Sequence, residues 1–384
     1  MKVDVIHNIL WSHYKGRVFS ALNSLSEQTQ IHLTFIQIAS TESQRVGLSN
    51  VDSSIHHYPY TLFFDGCYDD ISLLRRLLKC ARYAINTNAD FVMLPGYYRP
   101  EFWLMLAVLR FRRIPRGVFC DSTQFDARQI RSRTLLRKLF FSQCCAVLTY
   151  GERSSIFARM HGVADSVIFS DCQAAALPDN YSPATALLQR LSIASLRDRA
   201  RPHYLFVGRL AAEKGLHTLI QALARVITRI PLAHLTIVGN GPLSEELINR
   251  ADSEGLHNNI TFAGSVATDR LPQYYLEASA LVLPSTKEPW GLVVNEALAF
   301  GCPVIVSDIC GCVPELVATK GTGIVFSSGN AEVLARSMLS VPDVFADVEA
   351  TARRCISLIG NYTPHHAAQR ILAAFQTIAK QLGP

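Results

Sequence analysis

Two carboxylates, Glu288 and Glu296, bracket the run Gly291-Leu292-Val293 in the stretch EPWGLVVNE. If a helix opens at Gly291, its first backbone N–H groups have no internal acceptor and the macrodipole makes that end positive, which suits a phosphate. Gly291 has no Cβ, so an anion can approach the backbone closely. At 1.5 Å per residue, Glu296 lies roughly 7–8 Å along the axis from Gly291. Acids beside a diphosphate repel it, so these two suit hydrogen bonds from sugar hydroxyls on either side, and a nucleotide sugar laid across the helix tip fits the spacing. A solvated loop acid and a surface helix acid fit the same letters. Arg209 and Lys214, five residues apart in GRLAAEKG, form a second constellation. An arginine fork and a lysine point charge are complementary ways to hold a diphosphate. A salt bridge from Arg209 to Glu213 is the alternative.

The elements that must carry these residues follow from the apolar pattern. Residues 281–283 are an apolar run, 284–290 break any period, 291–300 carry helix formers and 303–307 are apolar and β-branched, which reads as a βαβ unit. The same strand-then-loop arrangement recurs upstream. A strand at 204–207 is followed directly by Gly208 and Arg209, one at 235–238 by Gly239-Asn240-Gly241-Pro242, and one at 261–263 by Gly264-Ser265-Val266. Residues 324–326 supply a last strand, and 331–339, 344–358 and 365–382 read as helices. The first half alternates similarly, with strands expected at 1–9, 31–39, 90–95, 117–120, 145–150 and 167–170 and helices at 15–26, 71–85, 101–113, 128–141 and 152–161. Alternation at these lengths implies parallel sheets covered on both faces, and such sheets bind ligands beyond the carboxyl ends of their strands. The residues just after the first-half strands are therefore candidates: His13 in the loop HNILWSHYKG, then Tyr97-Tyr98-Arg99, then Asp121-Ser122-Thr123. Two aromatics and a guanidinium make a platform for a sugar ring or a lipid phosphate, with ordinary surface capping as the alternative. Asp121 can orient a hydroxyl or cap the next helix.

These segments resemble the retaining glycosyltransferases of family 4, which have the GT-B fold. The resemblance rests on E-x7-E at Glu288 and Glu296, on residues 206–215 (FVGRLAAEKG), 237–243 (IVGNGPL) and 262–266 (FAGSV), and it is most specific over 204–326. It implies an α/β chain of two Rossmann-like domains facing each other across a cleft. It assigns Arg209 and Lys214 to the leaving diphosphate, Glu288 to the donor sugar and Glu296 to the ribose. Gly208, Gly239, Gly241, Pro242, Ser265, Val266, Trp290, Gly291, Leu292 and Val293 complete the expected donor site. The first half resembles bacterial polysaccharide enzymes with an acid-Ser-Thr motif, a following Asp and a downstream Arg, here Asp121-Ser122-Thr123, Asp126 and Arg131. Asp121 stands where many family members have a histidine near the transferred sugar, and is expected to be catalytic. His13, Tyr97, Tyr98 and Arg99 are expected to bind the acceptor. Only Gly16 remains of the glycine pair that often follows the first strand. The implied reaction is retaining transfer from a nucleoside diphosphate sugar to a saccharide or lipid-linked saccharide. A sugar-nucleotide epimerase of the same fold and a non-catalytic membrane-docking subunit are the alternatives.

With 384 residues the chain exceeds what one core usually serves. The expected division is an acceptor domain at 1–184, a linker at 185–202, a donor domain at 203–362 and a final helix, 363–384, crossing back to the first domain. Hydrophobic residues at 49% against 18% charged exclude disorder. Asp4, His7 and Asn8 interrupt the first apolar stretch, so it reads as a strand and not a signal peptide. Ten cysteines without C-x-x-C spacing indicate neither a disulfide framework nor zinc, and point to the cytoplasm. No D-x-D triplet occurs, so no metal and no cofactor is expected beyond the nucleotide sugar itself. Lys and Arg outnumber Asp and Glu by 23 to 16 over residues 1–200, against 14 to 15 over 201–384. The excess concentrates in 99–138, beside the apolar stretch 102–111 (FWLMLAVLRF). That combination reads either as a peripheral hold on an anionic inner membrane face or as a core helix with a solvated basic end. Nucleic acid is not expected, because no aromatic-interleaved basic motif occurs.

Overall fold

The protein is described by a computed structural model covering all residues except 44–50, 126–129, 176, 179, 197, 199 and 384. Asp126 and the first two residues of the helix expected at 128–141 therefore lie outside the described residues. The chain divides into two compact units, residues 1–174 with 363–384, and residues 175–362. Each is built on a parallel sheet.

In the first unit, β1 (Lys2–Ile9), α1 (His13–Ser26), β2 (His32–Thr41) and β3 (Tyr60–Cys67) run to one side of the sheet. The chain returns through α2 (Leu73–Asn86) to β4 (Phe91–Leu94), and then proceeds through α3 (Pro100–Phe111), β5 (Arg116–Cys120), α4 (Arg131–Phe141), β6 (Ala146–Thr149), α5 (Glu152–Met160) and β7 (Ile168–Phe169). The strand order is β3-β2-β1-β4-β5-β6-β7, so direction reverses between β1 and β4. β4 and β6 are buried along their whole length, which is why they are legible as continuous apolar runs. β3 has no counterpart among the expected strands. It is an edge strand with no fully buried residue, and so carries no apolar run.

The stretch 102–111 is a core helix. Phe102, Met105, Leu106 and Leu109 are buried, and Phe111 at its end is 90% exposed. The buried side of this stretch is taken up by packing between α2, α4 and the sheet.

The second unit begins with α6 (Pro183–Ser195), which occupies most of the stretch read as a linker. Arg190 explains the difference: its side chain is buried and donates through Nη1 to the carbonyls of Tyr275, Leu276 and Ala278, so the helix is packed and not a tether. Then follow β8 (His203–Val207), α7 (Leu216–Ile227), β9 (His234–Val238), α8 (Ser244–Ser253), β10 (Ile260–Gly264), α9 (Leu271–Glu277), β11 (Ala280–Leu283), α10 (Leu292–Ala299), β12 (Val304–Ser307), β13 (Gly323–Phe326), α11 (Ala331–Val344) and α12 (Val348–Ile359). The order is β10-β9-β8-β11-β12-β13, with the reversal between β8 and β11. α13 (Pro364–Leu382) closes the chain in the first unit, packed on α1.

Candidate functional site

In an open parallel sheet the crevice lies at the carboxyl ends of the two strands where direction reverses. In the second unit those strands are β8 and β11, and the loops after them hold Arg209, Lys214, Glu288 and Gly291. The two loops are tied by backbone: Thr286 and Lys287 donate their N–H groups to the Glu213 carbonyl, at 2.8 and 3.3 Å. Gly215 adopts φ 68°, and a Cβ there would overlap the Pro284 carbonyl oxygen. The Lys-Gly pair is thus a packing requirement that brings Lys214 to the β11 loop.

Lys214 Nζ lies 2.5 Å from Glu288 Oε2, which also accepts from Ser285 Oγ at 3.3 Å. Both side chains are mostly enclosed, with exposures of 21% and 11%, so the pair is poorly screened. Arg209 pairs with Glu213, the partner its alternative reading named. Burial pushes the Glu213 carboxyl up, but its backbone hydrogen bond and the Arg209 and Lys214 charges outweigh this and hold it below its usual range. Both cations are therefore held in the loops after β8 and β11 by carboxylates, which fixes their positions.

α10 starts at Leu292 with Gly291 as its N-cap at φ 102°. A Cβ on Gly291 would sit 2.8 Å from Leu283 Cδ2. The loop before it is held from behind, where Gly311 donates to the Glu288 carbonyl at 3.0 Å and Cys312 to the Trp290 carbonyl at 3.1 Å. Trp290 was expected to contact the donor. Its side chain is instead 4% exposed and its indole N–H donates to Asn295 Oδ1 at 2.8 Å, so it anchors the first turn of α10. The loops after β9 and β10 complete the rim. Gly239 has φ 129° and a Cβ there would overlap the Gly208 carbonyl oxygen; one on Gly241 would overlap that of Leu210. Asn240 Nδ2 donates to Ser265 Oγ at 2.9 Å, linking the two loops, with Pro242 and Val266 beside them.

Glu296 has a partner that sequence reasoning missed. Tyr275, 1% exposed on α9, donates its hydroxyl to Glu296 Oε2 at 2.6 Å, and its ring stacks on Phe300. Burial raises the Glu296 carboxyl to about 7, with the Tyr275 hydrogen bond opposing the shift. The ordinary value is 4.5, so the folded chain resists an ionisation that the unfolded chain undergoes. Stability is unaffected below the unfolded value and is lost as pH rises through about 7. Glu296→Gln is therefore expected to melt with the parent at acid pH and above it on the alkaline side of about 7, as read by calorimetry across pH.

In the first unit the direction reversal lies between β1 and β4. Tyr98 is exposed after β4 and its hydroxyl accepts from Asn8 Nδ2 at 2.9 Å. Arg99 sits 3.9 Å over the Tyr68 ring and 3.9 Å from Asp69, and His13 lies beside Trp11. Tyr97, expected at the acceptor, is a core residue at 7% exposure, packed on Phe141 and Phe157, with its hydroxyl donating to Ser122 Oγ at 2.7 Å. It couples the loops after β4 and β5 and presents no ring to a ligand. Asp121 follows β5; it is exposed, yet the protein crowded around it pushes its carboxyl up, with the Lys15 charge opposing.

Lys15 was also missed. Its ammonium is buried with no hydrogen-bond partner among the described residues, 4.5 Å from the Phe119 and Tyr150 ring centres, and burial lowers it to about 8. The signal was the basic residue beside Gly16 in the loop after the first strand. Gly16 itself is small because a Cβ would meet His56 at 2.8 Å. Among the described residues, no group of three His, Cys, Asp or Glu side chains is placed to hold a metal ion.

Residues 191–343 match the family model described as glycosyl transferases group 1. The glycogen synthase of Mycobacterium tuberculosis is 37% identical over 165 residues, which are 43% of this chain and 40% of that one. The 2-deoxystreptamine glucosyltransferase of Streptomyces kanamyceticus is 27% identical over 321 residues, 80% of this chain and 82% of the relative. Among solved structures, Anabaena Alr3699/HepE in complex with UDP and glucose superposes with a TM-score of 0.69 at 16% identity, covering 98% of this chain and 100% of that one. The structural likeness shows the fold: two Rossmann-like α/β units in one chain, the pair from which GT-B glycosyltransferases are built. The chain spans a third to two-fifths of the length of several of its curated relatives.

Proposed function

We propose, from a second unit that carries a glycosyl transferases group 1 match over residues 191–343, that this chain moves a sugar from a nucleoside diphosphate sugar to a saccharide or lipid-linked saccharide, with retention at the anomeric carbon. The observation that supports the reading is that Arg209, Lys214 and the Gly291 N-cap of α10 all lie in the loops after β8 and β11, the strands at which the sheet reverses. As the bond from the anomeric carbon to the diphosphate oxygen breaks, its electron pair leaves with the diphosphate. Two cations and a helix N-terminus at that crevice stabilise that charge. The acceptor oxygen bonds to the same face of the carbon and its proton passes to the departing phosphate oxygen. Charge neutralisation is assigned to side chains and backbone, so a bound metal is not required.

Glu288 binds donor-sugar hydroxyls while positioning Lys214, and Glu296 binds the ribose. Asp121 orients the acceptor hydroxyl, with Tyr98, Arg99 and His13 around it. Working at the cytoplasmic face of a membrane suits a lipid-linked acceptor. The test is incubation with a panel of nucleotide sugars, with and without saccharide acceptors, following diphosphate release and the configuration of the product. Formation of an epimer from donor alone would favour the epimerase reading. A lack of nucleotide binding would favour the docking-subunit reading.

The raised carboxyl of Glu296 gives a second test. Hydroxyls that donate to it favour its charged form, so nucleotide binding near neutral pH is expected to release a proton. Titration calorimetry in buffers of different ionisation enthalpy reads this directly, and Glu296→Gln should abolish the difference. Equal heats in all buffers for the parent protein would remove Glu296 from the ribose.

A further inference from the structure

The helical layer on one face of the first unit has an outer surface that is exposed among the described residues. α2 packs on α3, where Arg112 donates to the Ala84 carbonyl at 3.1 Å, and α3 packs on α4, where the Trp103 and Phe140 rings meet at 5.0 Å. Their inner sides share one core. On the outer side, Leu74, Leu78 and Ile85 of α2 are 65%, 62% and 56% exposed, and the spacing of four and seven residues puts them on one stripe. Phe111 ends α3 at 90%, and Leu135 and Leu139 of α4, four residues apart, are 69% and 52% exposed. Apolar surface repeated on three adjacent helices differs from scattered exposed residues and marks an interaction face.

The charge around these side chains identifies the occupant. α2 and α4 contain no acidic residue, and the one acid of α3, Glu101, is buried against Arg76 and Tyr68. Arg82, Arg131, Arg133 and Lys138 are exposed among the leucines. A second copy of this chain would meet the face with the same face, setting cations against cations. An anionic bilayer presents the complementary charge and accepts leucine and phenylalanine below its headgroups, while the arginine and lysine stems extend to the phosphates.

We infer that the α2–α3–α4 face of the first unit docks on an anionic lipid bilayer, with α2 and α4 lying along the headgroup layer. The inference is independent of the donor chemistry: donor turnover without vesicle binding would defeat it and leave the transferase reading intact.

The test is co-sedimentation of the full chain with vesicles of phosphatidylcholine alone and of phosphatidylcholine mixed with phosphatidylglycerol. Binding is expected only to the anionic vesicles, and is expected to weaken as salt is raised. The pairs Leu74→Glu with Leu78→Glu and Leu135→Glu with Leu139→Glu should each lower partitioning at least ~10-fold, and Arg82→Glu or Lys138→Glu by about fivefold or more per residue. Retained circular dichroism and nucleotide binding establish that the variants fold. Equal binding to both vesicle types, or variants that bind like the parent, would overturn the proposal. So would failure to bind vesicles together with a dimer that the leucine variants dissociate, since the face would then be a self-contact.

Discussion

Lys214→Ala is expected to lower kcat/KM about a thousandfold, the scale seen when one preorganised charge or donor is removed from a transition state. The ion pair with Glu288 complicates the reading in a useful way. Glu288 is mostly enclosed and, among the described residues, would keep Ser285 Oγ, at 3.3 Å, as its side-chain partner once the ammonium is gone. Breaking an enclosed pair from one side costs about 3–5 kcal/mol at most, because a charge is left unpaired. The variant should therefore also melt earlier. Adding Glu288→Gln removes the orphaned charge, so the double variant should regain much of the lost stability while turnover stays low. If activity returned together with stability, Lys214 would be a scaffold for Glu288 and not a group that stabilises the leaving phosphate. Full activity in Lys214→Ala alone would remove the assignment.

Gly239→Ala is the second large effect, and it acts on architecture. The residue has φ 129°, a conformation that L side chains rarely adopt, and the new methyl would overlap the Gly208 carbonyl oxygen. Backbone sets the conflict on both sides, so no side-chain rotation relieves it. The strain and the forced separation of the β8 and β9 loops together are expected to cost roughly 3–5 kcal/mol. Arg209 follows Gly208 directly, so donor affinity should fall with stability. Denaturant unfolding followed in the second unit checks the first part, and nucleotide titration the second. Gly255 has φ 71° and open space around its Cβ position. Alanine there carries the backbone strain alone and should be milder, with donor affinity kept.

How much of this was legible in the letters depends on burial. β8, β9, β11 and β12 were readable because a strand buried nearly end to end in a parallel sheet must be a short apolar run between turn residues; the edge strands β10 and β13 are mostly not buried, but their letters are still apolar and lie beside glycines. β3 was not, since an edge strand can be half polar. The donor residues stood out because strand ends and glycines fall at fixed places in a chain that must bring loops into contact: Gly215 against Pro284, Gly239 against Gly208. What stayed hidden was pairing at a distance. Nothing local links Tyr275 to Glu296, or indicates that Trp290 would spend its N–H on Asn295 inside the unit. The apolar stretch 102–111 showed the converse limit. Its composition fits a bilayer or a core equally, and only packing on α2 and α4 decides for the core. The leucines of α2 and α4, diluted by arginine and lysine, gave no such run and yet are the ones left outside.

The account's central claim is that the charge released on glycosyl-bond cleavage is absorbed at the β8/β11 crevice of the second unit. A crystal structure with a bound nucleoside diphosphate tests it most directly. The expected result is a terminal phosphate within hydrogen-bond distance of Arg209, Lys214 and the amides at 291–293, with Glu296 on the ribose. A diphosphate bound elsewhere, with Arg209 still paired to Glu213 and Lys214 to Glu288, would contradict it.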